Sequence, residues 1–424
     1  MTDERRIGRP AAPRDHWLTD PLADSAGATG TSLRVRSLAE TEAVARQWLE
    51  PCGITRIADV TDLDRVGIPV FHSVRPAAAP GLNTVTSGKG TTVAAARVSA
   101  MMEAIERSWC EPYDDVPPVA SYAELTERGT AALDPRRLML RRSHTWSEEA
   151  PIGWWPAREL VGGSEVLVPA LAVLTPYAHE HGMFSSNTIG LAVGNSPQEA
   201  LLHGLLELVE HDCAAFGEVL KQAWSVPVES LPPGPTALVE RFAAAGVEVR
   251  VFLYLTDTGI PTVHVTTEDT HAQDGMLFNG GAGCHLDPEV ALTRALTEAA
   301  QSRLNVIAGA REDFDQQAYR RHTSYEQLRD RYASWASGRD QMDFDQIRAA
   351  STGTTAGDLE RVVEALFGIG ARTILATELA PSRLPFSVTK VIVPGLEVFH
   401  EDRERIGPRM HRALTRLGLA GALS

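Results

Sequence analysis

No stretch of this 424-residue chain approaches the roughly 18 consecutive apolar residues that a membrane-crossing helix needs. Cysteine is scarce. Cys52, Cys110, Cys213 and Cys284 are scattered, and none forms the Cys-x-x-Cys pair that seats zinc. So few thiols in so long a chain point to a reducing compartment, and the cytoplasm is the expected location. Each thiol reads first as a buried, inert group and only second as a nucleophile. A positive excess is missing too. The 40 basic and 55 acidic residues leave a formal charge of −15, which excludes the global basic footprint of a nucleic-acid binder. A polyanionic ligand would have to be met through local cations or metal ions. The first twelve residues are charged and lack the apolar segment of a secretion signal.

What is present suffices for a large folded body, since 43% of the residues are hydrophobic. Residues 1–33 are rich in Pro, Gly, Ala, Asp and Thr and read as a flexible arm before the remainder, 34–424. Helical periodicity runs over 37–50, 91–110, 197–217 and 288–308. The last two begin at Ser196-Pro197 and Asp287-Pro288, where proline suits a first helical turn. Strand patterns cover 53–60, 67–71, 166–174, 247–255, 261–267, 372–377 and 388–393. The segment 312–350 reads as a charged helical insertion, and residues 114–118 as a loop. Irregular alternation of this kind predicts a mixed α/β or α+β fold with no linker strong enough to split it.

Three of the helices share a local pattern: Ala100-Met-Met-Glu103-Ala-Ile-Glu106, Gly204-Leu-Leu-Glu207-Leu-Val-Glu210 and Ala295-Leu-Thr-Glu298-Ala-Ala-Gln301. At about 100° per residue, Ser99, Glu103 and Glu106 fall within roughly 60° of arc, and Glu199, His203, Glu207 and Glu210 within roughly 80°. Arg294, Glu298 and Gln301 share a face of the third. Taken singly, such a pair is usually a solvated helix face. Three together raise a second reading, in which converging oxygens ligate magnesium. Gly88-Lys89-Gly90 fails the spacing of a phosphate loop and reads as a turn or cap before a helix. Gly190–Asn195 and Gly280–His285 are further glycine turns. In the first, Asn195 is either a helix cap or a ligand contact. His181, His203, His211, His264 and His285 are candidate bases, each more simply read as a structural or surface histidine.

These segments, in this order, resemble the YcaO family over about residues 34–400. The residues that carry the resemblance are Gly53-Ile-Thr-Arg56 with Gly67-Ile-Pro-Val70, Ser87–Gly90, Ser99-x-x-x-Glu103-x-x-Glu106-Arg107, and Gly190 to Ala200. They continue with Glu207-x-x-Glu210-x-Asp212, Ala295-Leu-x-Glu298-Ala-x-Gln301-x-Arg303 and Pro394-Gly-Leu-Glu397. The resemblance implies a YcaO-like fold with mixed sheets and long helices converging on an ATP site, its core at about 53–400. It implies ATP and Mg2+ as cofactors, with Glu103, Glu106, Glu199, Glu207 and Glu210 as metal ligands. Ser99 and Asn195 would lie near the nucleotide, with Arg36 and Arg303 as phosphate contacts. The catalytic base stays unassigned.

The implied chemistry is phosphorylation of a peptide carbonyl oxygen, which turns a poor leaving group into a good one. The expected product is a thioamide in a ribosomally made peptide or protein, formed with a TfuA-type partner, because the blocks around Gly53 and Val391–Glu397 look closest to such members. Azoline or amidine formation is the alternative. Azoline-forming members usually end in a proline-rich tail, whereas the last proline here is Pro408. A non-catalytic peptide-binding scaffold is the second alternative, favoured by His211 standing where the family usually has arginine. Family resemblance also implies a homodimer, while the acidic balance and the lack of a long apolar run lead us to expect neither nucleic acid nor membrane as partner.

Overall fold

The computed structural model describes residues 27–28, 33–112, 117–178, 181–310, 312, 324–336, 339–398 and 402–419. The chain begins β1 (Gly27–Ala28), β2 (Leu33–Arg34), α1 (Leu38–Trp48), β3 (Arg56–Asp59), β4 (Val70–Val74), β5 (Val85–Lys89), α2 (Val93–Trp109), β6 (Val119–Ala120) and α3 (Tyr122–Glu127). It continues with β7 (Ile152–Glu159), β8 (Glu165–Pro169), β9 (Leu191–Gly194), α4 (Pro197–Leu220), β10 (Trp224–Val226), α5 (Pro233–Ala244), β11 (Val247–Tyr254), β12 (Thr262–Asp269) and β13 (Asn279–Cys284). It closes with α6 (Pro288–Ala308), α7 (Tyr325–Ala336), α8 (Thr355–Gly368), β14 (Leu375–Glu378), β15 (Ser387–Ile392) and α9 (Pro408–Arg416). Most of the expected arm, and the Asp114–Val116 part of the expected loop, lie outside the described residues. Of the expected 312–350 insertion, 313–323 and 337–338 also lie outside them. The part described holds α7 and a short 3-10 turn.

The α and β elements mix as the sequence predicts, and the sheets are antiparallel. Apart from the short β1–β2 pair, they run β3-β4-β5, β10-β11-β12-β13, and β6-β7-β14-β15-β9 with β8 added on β7. Every pairing between these strands is antiparallel. Thus β5, β9 and β13 each stand at a sheet edge, and each edge strand packs on one of the long helices: β5 on α2, β9 on α4, β13 on α6.

The helices start where the sequence predicts. Thr92, Ser196 and Asp287 accept backbone N–H bonds through their side chains, and Pro197 and Pro288 occupy the first helical position. Their apolar sides enter separate core clusters. Met101 and Ile105 of α2 pack with Leu191 and Val388, Leu205 and Val209 of α4 with Leu359 and Val391, and Leu292 and Leu296 of α6 with Val251 and Val263. No helix among the described residues is long and apolar enough to cross a membrane.

The glycine segments read as turns prove to be edge strands. A Cβ on Gly88 would sit 1.9 Å from the Ala100 nitrogen, and one on Gly281 2.2 Å from the Ala295 oxygen. Helix backbone rests directly on strand backbone at these points, and only glycine permits it. We expect Gly88→Ala and Gly281→Ala each to destabilise the fold by about 1–3 kcal/mol or more, through forced separation of helix and strand. Gly368→Ala, where an added Cβ meets nothing within 4 Å, serves as the control and should be close to neutral. Urea midpoints for the three variants check this.

Candidate functional site: a carboxylate-walled cavity

Between the edges of β5 and β9 and the helices α2, α4 and α6 lies a cavity of about 340 Å³. Ser99, Glu103 and Glu106 of α2 line it, as do Glu199, His203, Glu207 and Glu210 of α4 and Arg294, Glu298 and Gln301 of α6. The helical spacing read in the sequence therefore places these side chains around one space.

Most of the acids are held by the backbone of a sheet edge. An edge strand carries N–H groups that no neighbouring strand accepts, and here they donate to glutamates. The Val193 N–H donates to Glu106 at 2.9 Å, Gly190 N–H to Glu207 at 3.1 Å, and Asn195 N–H to Glu199 at 2.8 Å. The Ala282 N–H of β13 donates to Glu298 at 3.2 Å, and Cys284 N–H to Glu210. From β5, the Ser87 carbonyl accepts from Gln301 Nε2 at 2.6 Å and Lys89 pairs with Glu298.

Cations are interleaved. Arg107 lies 2.9 Å from Glu103 and 4.0 Å from Glu106. Arg34 lies 3.5 Å from Glu199, whose other oxygen takes the Val35 N–H. Asn195 is not the helix cap, a role Ser196 fills. Instead its Oδ1 accepts from Thr41 at 3.1 Å and its Nδ2 donates to Glu199 at 3.1 Å, which ties α1 to α4 across the cavity rim. Arg36 also lines the cavity, donating to the Pro385 carbonyl.

The cations do not balance the wall. Burial, then the Glu103 charge, pushes the Glu106 carboxyl well above its ordinary value. Burial likewise raises Glu207 to about 8 and, together with neighbouring Glu298, raises Glu210 to about 7. Burial acts the same way on Glu298, but Lys89, the Ala282 N–H and Arg294 together outweigh it and hold that carboxyl below its usual range. These are hard oxygen donors in excess of their cations, which is the donor chemistry magnesium requires. Among the described residues no three acids close on a common point.

One expected residue falls elsewhere. Arg303, expected at a phosphate, is fully buried outside the cavity and pairs with Asp64 at 2.9 Å and Asp269 at 3.1 Å. Two carboxylates consume its charge, and the packed body of the protein surrounds it. His211 is not part of the cavity wall, and neither are His181, His264 and His285. Burial and Arg294 lower His285 to about 4, and its Nδ1 accepts the Asp287 N–H at 3.0 Å. Lys89 and Arg107 line the cavity unforeseen, while His203, Arg294, Glu298 and Gln301, grouped on the shared helix faces by their spacing, line it although the ligand set implied by the resemblance leaves them out. The repeated pattern on the third helix was the signal for the last two.

A pH dependence follows. Glu207 and Glu210 bind protons more tightly folded than unfolded, near 8 and 7 against an ordinary 4.5. Their contribution to stability is therefore fully present below the unfolded value and is lost as pH rises through the folded values. In EDTA, the melting temperature of wild type relative to Glu207→Gln/Glu210→Gln should fall between about pH 5 and pH 8. A constant difference over that range would contradict the assignment.

A family profile described as YcaO cyclodehydratase, ATP- and Mg2+-binding, matches residues 87–397. An uncharacterised protein of Methanothermobacter thermautotrophicus is 39% identical over 86% of this chain and 95% of its own length. A Rhizobium leguminosarum protein described only as lying in a tfuA 3' region is 32% identical over 89% of this chain and 92% of its own. Among solved structures, YcaO from Methanopyrus kandleri bound with AMPPCP and Mg2+ superposes with a TM-score of 0.76. It is 24% identical and covers 91% of this chain and 98% of that one. A heterocyclase in complex with substrate and cofactor superposes at 0.77, with 20% identity over 98% of this chain and 58% of the other. The chain thus belongs to the YcaO family, whose profile is described as ATP- and Mg2+-binding.

Proposed function

We propose that this chain forms a thioamide in the backbone of a ribosomally made peptide or protein, together with a TfuA-type partner that delivers sulfur. The observation that carries this reading is the relative in a tfuA 3' region, similar to this chain along nearly all of both lengths. Sulfide adds to the amide carbonyl carbon, and the resulting oxyanion takes a phosphoryl group. The oxygen then leaves as phosphate and the S–H proton is lost, so the carbonyl oxygen is exchanged for sulfur. ATP with magnesium supplies the activating phosphoryl group. Glu103, Glu106, Glu199, Glu207 and Glu210 provide the oxygens for the metal, while Ser99, Asn195 and Arg36 face the nucleotide from the rim. The buried wall keeps bulk water from competing for the activated carbonyl.

Two observations favour a second reading, azoline formation: the matching profile is described as a cyclodehydratase, and one structural neighbour is a heterocyclase. The scaffold reading is the less favoured one, because six glutamates line the cavity and His211 does not. Intact-mass measurement separates the three. The chain and a TfuA-type protein, co-expressed with a candidate precursor peptide, should yield a product heavier by the exchange of oxygen for sulfur. Loss of one water would favour the azoline. An unchanged peptide with no ATP consumed would favour the scaffold.

A further inference from the structure

The guanidinium of Arg294 stands among acids without pairing with any. Glu210 and Glu298 both feel its charge, yet among the described residues no carboxylate lies within ion-pair distance of it. Among the described residues its one hydrogen-bond partner is His203 Nε2, at 2.9 Å. Arginine only donates, so the imidazole must accept at Nε2 and carry its proton on Nδ1. Burial, with Arg294, Arg34 and Lys89 nearby, keeps the ring neutral. Its Nδ1 is buried and has no hydrogen-bond partner among the described residues. His203 sits one helical turn from both Glu199 and Glu207, on the cavity face of α4.

A neutral acceptor does something a carboxylate could not. It orients the guanidinium while leaving its positive charge unneutralised and most of its five N–H donors unused. We infer that His203 is a positioning residue which, as the Nδ1–H tautomer, aims Arg294 at the phosphate chain of the nucleotide. Planar guanidinium suits bidentate contact with phosphate oxygens. Arg294 thereby supplies a cation to this site although histidine stands at position 211. The inference rests on nucleotide binding at this cavity and is independent of which peptide product forms.

Calorimetry with AMPPCP and Mg2+ tests it. Arg294→Met should weaken binding about tenfold or more. His203→Gln places an oxygen near the Nε2 position and should stay within about threefold of wild type, whereas His203→Asn, whose oxygen reaches only the Nδ1 position, should lose as much as His203→Leu. In the Arg294→Met background, replacing His203 should cost nothing further. Equal behaviour of the Gln and Asn variants, or losses that add with that of Arg294→Met, would overturn the inference. So would wild-type affinity in Arg294→Met. Failure of wild type itself to bind AMPPCP would overturn the nucleotide site together with it.

Discussion

The structure depends on where the edges of its sheets end. A strand edge facing the interior leaves N–H groups that must find acceptors, because an unpaired buried donor costs about as much as a lost hydrogen bond. The edges of β9 and β13 meet helices rather than other strands, and glutamate side chains on those helices accept the orphan N–H groups at Val193, Gly190, Asn195, Ala282 and Cys284. Glycine in each edge strand brings the helix close enough for this to happen. The acids are therefore part of the architecture before any ligand enters.

That solution concentrates negative charge where water is scarce. Arg107, Lys89, Arg34 and the buried Lys390 offset part of it. Lys390 donates to the Asn187 and Ile189 carbonyls at 2.9 and 2.7 Å and so also fixes the turn whose next N–H, at Gly190, holds Glu207. Burial lowers this ammonium to about 8 while raising Glu207 to about the same value. The two groups share a site in which neither full charge is comfortable. On the proposed reading, a divalent cation carrying phosphate would relieve the imbalance from the open side and let an acidic wall and a polyanionic nucleotide share one cavity.

Much of this was legible in the chain. The helix starts follow from Gly88-Lys89-Gly90, Ser196-Pro197 and Asp287-Pro288, and the spacing of Glu103, Glu106, Glu199, Glu207 and Glu210 predicts one face per helix. The convergence of those faces was not legible, because it depends on three sheets whose edge strands are rich in glycine. Gly88-Lys89-Gly90 and Gly280–Gly283 carry no alternating apolar pattern, so they read as turns. What they encode is close approach, a property of the partner helix as much as of the strand. Arg303 shows the opposite case. It lies nine residues beyond Arg294, half a turn around the same helix, and periodicity alone directs it away from the face of Glu298 and Gln301. Its buried pairing with Asp64 and Asp269 is the structural result.

We propose that the wall holds protons in place of missing positive charge, and that magnesium with nucleotide displaces them. The most direct measurement is the number of protons released when AMPPCP and Mg2+ bind, taken from calorimetry near neutral pH in buffers of different ionisation enthalpy. Net proton release is expected from wild type, and less from Glu207→Gln/Glu210→Gln. Binding without proton release, or release unchanged in that variant, would contradict it.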